Sequence, residues 1–194
     1  DGSLQTISAL RTPPLRPVRF AAVTGSQLNR WYASRVYCPA CGKRMEHSQK
    51  ERMMQCPSCG LMEYPKLSPA VIVGVTKGDS LLLTRYAGRG YTHYALVAGF
   101  AEIGETIEET VQREVMEETG LHVKNLRYYK SQPWSFTDTL LFGFYADAAG
   151  EEEILIDQEE LSTAQWVRRE EIPEDDGISL TREMMDRFRR GLET

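Results

Sequence analysis

The chain has 194 residues, of which 41% are hydrophobic and 26% charged, an ordinary composition for a globular protein with one full core and a small appendage. Its formal net charge of −5 argues against a dedicated duplex-DNA binder, which carries a basic face. No apolar run approaches the ~18 residues of a membrane span, and no secretion signal is present. We therefore expect no membrane partner and a reducing, cytoplasmic compartment. The chain begins at Asp1 rather than Met, so a natural N-terminus is expected upstream.

Residues 1–37 carry the least information. The segment RTPPLRPVR (11–19) holds three of the nine prolines and predicts an extended strap. The segment SQLNRWYAS (26–34) predicts a short helix capped by Ser26. We expect residues 1–37 to be a linker or the remnant of an N-terminal domain.

The four cysteines form two CPxCG knuckles, Cys38 with Cys41 and Cys56 with Cys59. Each knuckle turns tightly enough for two sulfurs to reach one ion, so the pair supplies four thiolates for tetrahedral Zn²⁺. Two disulfides or a redox CxxC are the alternatives, and the lack of a secretion signal argues against disulfides. The spacing predicts a zinc ribbon over residues 38–66. Its zinc would be structural, because no coordination position is left for water.

Strand patterns follow the ribbon. The segments AVIVGVTKG (70–78) and SLLLTRY (80–86) predict a hairpin around Gly78 and Asp79. Further predicted strands are HYALVAG (93–99), VKNLRYYKSQ (123–132), TLLFGFYADA (139–148), EILI (153–156) and AQWV (164–167). A last amphipathic helix is predicted in ISLTREMMDRFRRGL (178–192). This alternation of strands and helices predicts an α/β fold with a mixed sheet.

Between the strands at 93–99 and 123–132 the pattern changes to that of a helix. The prediction is a helix that opens at Gly104 and ends at a left-handed Gly120. Ile107, Val111 and Val115 are spaced i, i+4, i+8, so one side of this helix should pack into a core.

The same helix gathers acidic side chains. Glu114, Glu117 and Glu118 have the i, i+3, i+4 spacing that places three carboxylates on one face. Like charges at this spacing cost roughly 0.2–0.5 kcal/mol per pair, and Arg113 can answer only one or two carboxylates, through Glu109 or Glu117. A divalent cation such as Mg²⁺ or Mn²⁺ would remove the repulsion. The simpler interpretation is a solvated acidic helix face.

The stretch GFAEIGETIEETVQREVMEETGL (99–121) resembles the Nudix box. The fixed positions of that box are filled by Gly99, Glu105, Arg113, Glu114, Val115, Glu117, Glu118, Gly120 and Leu121. The resemblance implies a Nudix α/β/α sandwich over residues 67–194. It also implies Mg²⁺- or Mn²⁺-dependent hydrolysis of a nucleoside diphosphate linked to another group.

A second motif narrows the resemblance. SQPWSFTDT (131–139) is similar to the SQPWPFPxS motif of the zinc-ribbon NADH pyrophosphatases, or NAD-capped RNA hydrolases, which also carry a Tyr-Pro beyond the ribbon, as at Tyr64. Ser135 and Thr137 stand where that family has prolines, and Thr139 replaces its final serine. Thr181 stands where such enzymes have alanine. These departures bear on substrate preference more than on the type of reaction.

The resemblance implies a set of catalytic and metal-binding residues. Glu114 and Glu118 would bind the catalytic cation, Glu117 would share a second ion, and the carbonyl of Ala98 would complete the shell. A further carboxylate is expected from the segment IDQEEL (156–161), where Glu160 fits best and Glu159 is its neighbour. Glu105 would orient the helix start or a ligating partner, and His93 and His122 are expected to be structural.

A dinucleotide pocket is expected around the second motif. Trp134, Phe136 and Phe100 offer flat faces for stacking a nicotinamide or adenine ring, although ordinary core packing is the alternative for the first two. Gln132 and Ser135 can hydrogen-bond an amide or a phosphate. The complete expected set is Tyr64, Phe100, Gln132, Pro133, Trp134, Ser135, Phe136, Thr137, Asp138, Thr139 and Thr181.

The leading hypothesis is therefore hydrolysis of NAD(H) to nicotinamide mononucleotide and AMP, extending to RNA with a 5′-NAD cap. A broader nucleoside-diphosphate hydrolase of the ADP-ribose type is the second hypothesis. The third is a non-catalytic Nudix ligand sensor whose zinc ribbon binds nucleic acid or protein. The resemblance also implies a homodimer, in which a neighbour's Trp134 loop would complete the pocket.

Overall fold

The computed structural model describes residues 6–11, 16–88, 93–150, 153–174 and 178–193. The chain divides into two compact units, one of residues 1–67 with 134–139 and one of residues 68–133 with 140–194. None of the helices in these described ranges combines the length and the hydropathy that crossing a membrane requires.

The first unit contains a long helix where only a short one was predicted. A 3₁₀ turn over Ile7–Arg11 precedes helix α1, Arg16–Ser34. The prediction of an extended strap over residues 11–19 is wrong from Arg16 onward, while its residues 12–15 lie outside the described part of the chain. Pro17 is compatible with the helix because it lies in the first turn, where a missing N–H breaks no helical hydrogen bond. Ser26 is consequently a mid-helix residue and not the predicted cap.

The ribbon follows α1 as a three-stranded antiparallel sheet. Its short strands are β1 (Glu46–His47), β2 (Met54–Gln55) and β3 (Met62–Glu63), in the order β1-β2-β3. One face of this sheet is buried, because Met54 packs with Met45 and with Trp31 of α1 around Cys38 and Cys56. Trp31 of α1 therefore belongs to the core of the ribbon.

The second unit is built on a six-stranded sheet. Its strands are β4 (Ser68–Lys77), β5 (Ser80–Tyr86), β6 (Val97–Phe100), β7 (Val123–Trp134), β8 (Thr139–Ala148) and β9 (Leu161–Arg168). The main order is β7-β8-β4-β5-β9, and β6 pairs with β4. The predicted hairpin is confirmed, since β4 and β5 pair antiparallel with Lys77 opposite Ser80.

Alternating residues of this sheet enter two separate cores. Val71, Val73 and Val75 face one core, together with Val111 and Val115 of helix α2 (Ile107–Thr119). The side chains on the other face of the sheet enter the second core, which also contains helix α3 (Leu180–Arg189). In this core Ile72, Leu81, Leu83 and Tyr145 of the sheet pack with Leu180, Met184, Met185 and Phe188. The sheet lies between two helices, so the predicted α/β/α sandwich is confirmed.

One predicted strand does not form. Residues 153–156 have no regular secondary structure, and the chain instead runs past the C-terminal end of α2. There Leu155 donates its backbone N–H to the carbonyl of Thr119 at 2.9 Å, and Asp157 donates to the carbonyl of Glu118 at 3.1 Å. The last carbonyls of a helix lack intrahelical partners, so they compete effectively with a sheet edge for these donors.

Candidate functional site

Helix α2 carries the candidate site, and both of its ends are defined by hydrogen bonds. Thr106 is the N-cap, and it forms a capping box with Glu109 in which each side chain accepts from the other's backbone N–H. The expectation that Gly104 opens the helix is therefore wrong by two residues. Gly120 ends the helix in the left-handed conformation at φ 69°, as predicted, and donates to the carbonyl of Met116.

Arg113 organises the acidic side chains on the outer part of the helix. Its guanidinium donates to Glu105, to Glu114 at 2.7 Å and to Glu117 at 2.9 Å. A further N–H reaches the carbonyl of Phe100 at 2.9 Å. The expectation of one or two partners was too low, and Glu109 is not among them because it is used in the capping box.

Glu105 holds the guanidinium of Arg113 in place. Its pKa is lowered, whereas those of Glu114 and Glu118 are raised. The Arg113 hydrogen bonds, with help from the backbone N–H of Glu102, lower the pKa of Glu105 to about 2. The hydroxyl of Thr110 also donates to Glu105, at 3.0 Å. An anion held this firmly fixes the position of the Arg113 fork, which in turn fixes the carboxylates that it touches.

Glu114 lies against a strand residue that has no side chain. It is only 8% exposed. A Cβ placed on Gly99 of β6 would lie 1.9 Å from its carboxyl carbon and 2.0–2.1 Å from its two oxygens. Only glycine permits this approach of backbone and carboxylate. Burial raises the pKa of Glu114, and the hydrogen bond from Arg113 opposes that rise.

Glu118 is the most deeply buried acidic side chain of the helix, at 2% exposure. Burial raises its pKa to about 8, and the charges of Glu114, Glu160 and Asp157 act in the same direction. The backbone N–H of Ala98 donates to its Oε1 at 3.4 Å, whereas its Oε2 is buried without a hydrogen-bond partner. A buried oxygen without a partner is costly unless a cation or a proton occupies the adjacent space.

The segment that follows residue 153 brings further carboxylates to the end of α2. Asp157 accepts hydrogen bonds from the backbone N–H groups of Glu160 and Leu161, forming a turn whose Glu160 carbonyl accepts from Ala87. The charge of Glu160 raises the pKa of both Glu114 and Glu118. Glu159 instead donates its backbone N–H to the side chain of Asp157.

The carboxylates are close enough to interact but are not drawn together around a point. Within the described ranges, the only group of three or more potential ligand atoms within 4.8 Å of one another is that of the four cysteines. The side chains of Glu114 and Glu117 are turned toward Arg113. Carboxylate oxygens are nonetheless the ligands that Mg²⁺ and Mn²⁺ prefer. Helix α2 supplies such oxygens from buried side chains, and that of Glu114 lies against Gly99 of β6.

The cysteine cluster has the geometry of a tetrahedral zinc site. The Sγ atoms of Cys38 and Cys59 are 3.6 Å apart, and those of Cys41 and Cys56 are 3.5 Å apart. Zn–S bonds of about 2.3 Å in a tetrahedron require S–S distances of about 3.8 Å, so the ion fits with little movement. Backbone N–H groups of the second knuckle, Cys59 first, lower the pKa of the Cys56 thiol to about 6, which favours the thiolate.

The aromatic pair of the second motif lies in the first unit. The rings of Trp134 and Phe136 have centroids 5.0 Å apart at an angle of 50°. The guanidinium of Arg11 lies 4.9 Å from the Phe136 centroid and 5.7 Å from that of Trp134. Both rings are half-buried, so neither is a fully packed core residue.

The rest of that turn is held by hydrogen bonds. Arg30 of α1 pairs with Asp138 at 2.7 Å and donates to the carbonyl of Ser135 at 3.0 Å. Asp138 adopts a positive φ of 59°, which an aspartate tolerates. The hydroxyls of Thr137 and Thr139 are 2.9 Å apart. These contacts organise the turn without the prolines that the resemblance implied.

The remaining expected substrate residues occupy several places. Pro133 and Phe100 are exposed, and Gln132 donates to the carbonyl of Ile178 at 3.0 Å, just before α3. Thr181 lies half-buried in the first turn of α3. In the first unit, the exposed Tyr64 donates to Glu51 at 2.8 Å. His93 and His122 are both exposed.

Two functional features were missed from the sequence. Asp157 both supports the Glu160 turn and adds to the charge around Glu118, and its position in IDQEEL was the available signal. The close approach at Gly99 was not foreseen either, although a glycine within a strand commonly marks such an approach.

Comparison with known families gives two matches that together cover most of the chain. Residues 66–188 match the NUDIX domain, and residues 33–64 match the NADH pyrophosphatase zinc ribbon domain. The first match covers α2, the six-stranded sheet and all of α3 except its last residue, and the second covers all four cysteines.

Comparison with individual proteins points in the same direction. The chain is 43% identical over 149 residues to the NAD-capped RNA hydrolase NudC of Klebsiella pneumoniae, a match that covers 77% of this chain and 58% of that protein. It is 44% identical over 148 residues to the protein of the same name from Pseudomonas aeruginosa, covering 76% of this chain and 53% of that protein. The chain thus spans little more than half the length of these relatives.

Among solved structures, the crystal structure of a NUDIX hydrolase from Nitrosomonas europaea superposes with a TM-score of 0.64 at 21% sequence identity. The superposition covers 80% of this chain and 93% of that one. At this level of identity the likeness concerns the fold alone.

Proposed function

Because this chain belongs to the Nudix family, whose domain covers residues 66–188, we propose that it hydrolyses the pyrophosphate bond of NAD(H). The products are nicotinamide mononucleotide and AMP, and the same reaction removes NAD caps from RNA. The observation that carries the proposal is the buried carboxylate of Glu118, whose Oε2 has no hydrogen-bond partner, beside Glu114 on helix α2. The zinc-ribbon match and the names of the relatives support the choice of substrate.

The catalytic cation of this proposal is Mg²⁺ or Mn²⁺. Glu114 and Glu118 hold it, Glu117 and Glu160 add carboxylates, and the carbonyl of Ala98 completes the set. The fit is supported by the unpartnered Oε2 of Glu118 and by burial that raises the pKa of both main ligands. When bound, the cation polarises the phosphoryl oxygens, lowers the pKa of the attacking water and neutralises the departing monophosphate.

The protein's own contribution is to place and tune these carboxylates. Glu105 fixes Arg113, and Arg113 restrains Glu114 and Glu117, so the acidic face is organised before substrate arrives. The base that accepts the proton of the attacking water belongs to this acidic set, as Glu114, Glu117, Glu118 or Glu160.

The substrate side of the proposal rests on stacking and hydrogen bonding. In the first unit, Trp134 and Phe136 are assigned to stacking of a planar ring and Ser135 to its polar groups; in the second unit, Phe100 and Gln132 are assigned the same two roles. The remaining substrate contacts are assigned to Tyr64, Pro133, Thr137, Asp138, Thr139 and Thr181.

The proposal extends to the organisation of the whole protein. Residues 38–66 form a domain with one structural Zn²⁺, and residues 67–194 form the hydrolase domain, with residues 1–37 as linker or remnant. The working form is a cytoplasmic homodimer, in which the partner's Trp134 loop completes the pocket.

Product analysis tests the reaction. Zinc-loaded protein is incubated separately with NADH, ADP-ribose and NAD-capped RNA, with and without Mg²⁺ or Mn²⁺. Metal-dependent formation of nicotinamide mononucleotide and AMP from NADH is expected. Cleavage of ADP-ribose in preference to NADH would assign the broader hydrolase, the outcome that Ser135 and Thr137 in place of prolines would favour. No cleavage of any of the three would leave a ligand sensor.

A matched pair of variants ties turnover to the carboxylates. Glu118→Gln should abolish turnover while the fold is retained, because the amide keeps the shape but loses the charge. Glu108→Gln, on the exposed side of the same helix, should retain turnover. Equal activity of both variants would remove Glu118 from the metal site.

A further inference from the structure

The turn over residues 134–139 belongs to the first unit, although it joins strands β7 and β8. Inside the turn, the backbone N–H of Thr137 donates to the carbonyl of Trp134 at 3.2 Å. Residues 135 and 137 are serine and threonine, so no proline ring restricts the backbone at these two positions. The conformation of the turn therefore depends strongly on the contacts that it makes with the rest of the first unit.

Arg30 of α1 holds the turn through its backbone and through a side chain. Its Nη2 donates to the carboxylate of Asp138 at 2.7 Å and to the carbonyl of Ser135 at 3.0 Å. Its Nη1 donates to the hydroxyl of Ser26, one helical turn earlier, at 3.2 Å, which fixes the guanidinium relative to α1. A planar guanidinium can form this fork of bonds, whereas the single ammonium of a lysine cannot.

The residue after Arg30 anchors the same helix in the zinc ribbon. Trp31 is 5% exposed and packs with Cys38 and Cys56, two of the four zinc ligands. Neighbouring residues of a helix point in directions about 100° apart, so Arg30 and Trp31 leave α1 on different sides. One turn of α1 consequently contacts the core of the ribbon and the turn over residues 134–139 at the same time.

We propose that Arg30 is a positioning residue for substrate, which transmits the fixed position of the zinc-bound ribbon through α1 to the turn over residues 134–139. The inference rests on the proposed function, which assigns Trp134, Ser135 and Phe136 of this turn to the planar ring of the substrate. Without Arg30 the turn would adopt its binding conformation for a smaller fraction of the time, and the apparent affinity would fall by that fraction. The hydrogen bonds of Arg30 are with Ser26 and with the turn, so its loss should raise KM and leave kcat unchanged.

The simpler interpretation of the Arg30–Asp138 contact is a surface ion pair that adds little to stability. The chain offers a matched control for this interpretation. Arg35 pairs with Glu63 of β3 at 2.9 Å, and its side chain is 32% exposed against 39% for Arg30. Loss of either arginine removes one ion pair from the first unit, but only Arg30 holds the turn over residues 134–139.

The first experiment measures hydrogen–deuterium exchange of the zinc-loaded full chain by mass spectrometry. Arg30→Gln should raise the exchange rate of the peptide covering residues 134–139 at least fivefold, about the effect of losing one ordinary hydrogen bond. Arg35→Gln should leave that rate at the wild-type value, with the zinc content of each protein checked by elemental analysis. Removal of zinc from the wild type with a chelator should also raise the rate in this peptide. Equal exchange in the wild type and Arg30→Gln would overturn the proposal, and so would exchange that is insensitive to zinc.

The second experiment measures steady-state hydrolysis of NADH. Arg30→Gln should raise KM at least fivefold with kcat unchanged, and Arg35→Gln should keep both wild-type values. Arg30→Lys should give an intermediate KM, because its ammonium can pair with Asp138 but cannot form the whole fork. A lowered kcat with a wild-type KM in Arg30→Gln would overturn the proposal.

Together the two experiments separate this proposal from the proposed function. Absence of NADH hydrolysis by the wild type would overturn the proposed function, whereas the exchange measurement needs no substrate and would still decide whether Arg30 restrains the turn. Faster exchange in Arg30→Gln with an unchanged KM for NADH would overturn the positioning role alone, because Arg30 would then serve only the local structure.

Discussion

The substitution Glu118→Gln should have opposite effects on stability and activity. Burial raises the folded-state pKa of this carboxyl from 4.5 to about 8. A carboxyl with a raised pKa binds more protons in the folded state than in the unfolded state. Its favourable contribution is therefore complete below pH 4.5 and is lost as the pH rises to about 8.

The size of the effect on the free energy of unfolding follows from the same change in the pKa of Glu118. A change of one pKa unit is worth 1.36 kcal/mol, so the charged Glu118 destabilises the cation-free protein by at most about 5 kcal/mol above pH 8. Glutamine has no charge to desolvate and can still accept the hydrogen bond from Ala98. The variant should therefore be more stable than the wild type by a few kcal/mol at pH 8.5, and the difference should shrink toward pH 5.

Urea unfolding followed by circular dichroism at several pH values measures this difference. Free Mg²⁺ and Mn²⁺ are removed with a chelating resin, and retention of zinc is checked by elemental analysis, so that the ribbon is the same in both proteins. Added Mn²⁺ should stabilise the wild type at pH 8.5 and leave Glu118→Gln nearly unaffected. Glu108→Gln should follow the wild-type pH profile throughout. Parallel pH profiles for the wild type and Glu118→Gln would refute the reasoning.

Three other substitutions test the close approach at Gly99, the Arg113 fork and the zinc site. Gly99→Ala should lower turnover about a hundredfold with unchanged circular dichroism, because its Cβ would lie 1.9 Å from the Glu114 carboxyl carbon; Gly25→Ala, with open space around it, is the control. Arg113→Lys should reduce kcat about tenfold or more, because a single ammonium cannot hold several carboxylates in a fork; an unchanged kcat would show that this fork is dispensable. Cys56→Ser should lower zinc content and thermal stability together, and full zinc retention by elemental analysis would contradict a four-thiolate site.

The parts of the fold that the sequence predicted correctly are those governed by local rules. The β4–β5 hairpin and the left-handed Gly120 cap depend on a few adjacent residues. The strand and helix patterns predicted an α/β fold with a mixed sheet, whereas the sandwich, with helices on both faces of the sheet, was implied by the resemblance to the Nudix box. The parts predicted wrongly depend on which of several hydrogen-bonding partners a segment has in the folded protein. Residues 153–156 have a strand-like pattern. The backbone N–H groups of Leu155 and Asp157 nevertheless donate to the free carbonyls at the C-terminal end of α2.

In two further places the sequence contains a local signal that the predictions did not use. Pro17 suggested an extended chain, although a proline in the first turn is compatible with a helix. Thr106 and Glu109 have the spacing of a capping box, which indicates the start of the helix. The helix start was instead predicted at Gly104.

At the site, the sequence indicated which side chains matter but not how they are arranged. Spacing alone placed Glu114, Glu117 and Glu118 on one face. The spacing also predicted the contact of Arg113 with Glu117, but not its contact with Glu114. The sequence could not show that Glu118 is buried with an unpartnered oxygen, because that depends on how α2 packs against β6.

The most direct test of the central claim is an anomalous difference map from crystals soaked in Mn²⁺ at the manganese edge. A peak is expected within coordinating distance of the carboxylates of Glu114 and Glu118, near the carbonyl of Ala98. Manganese bound only at other positions, with these two side chains unliganded at a saturating concentration, would contradict it.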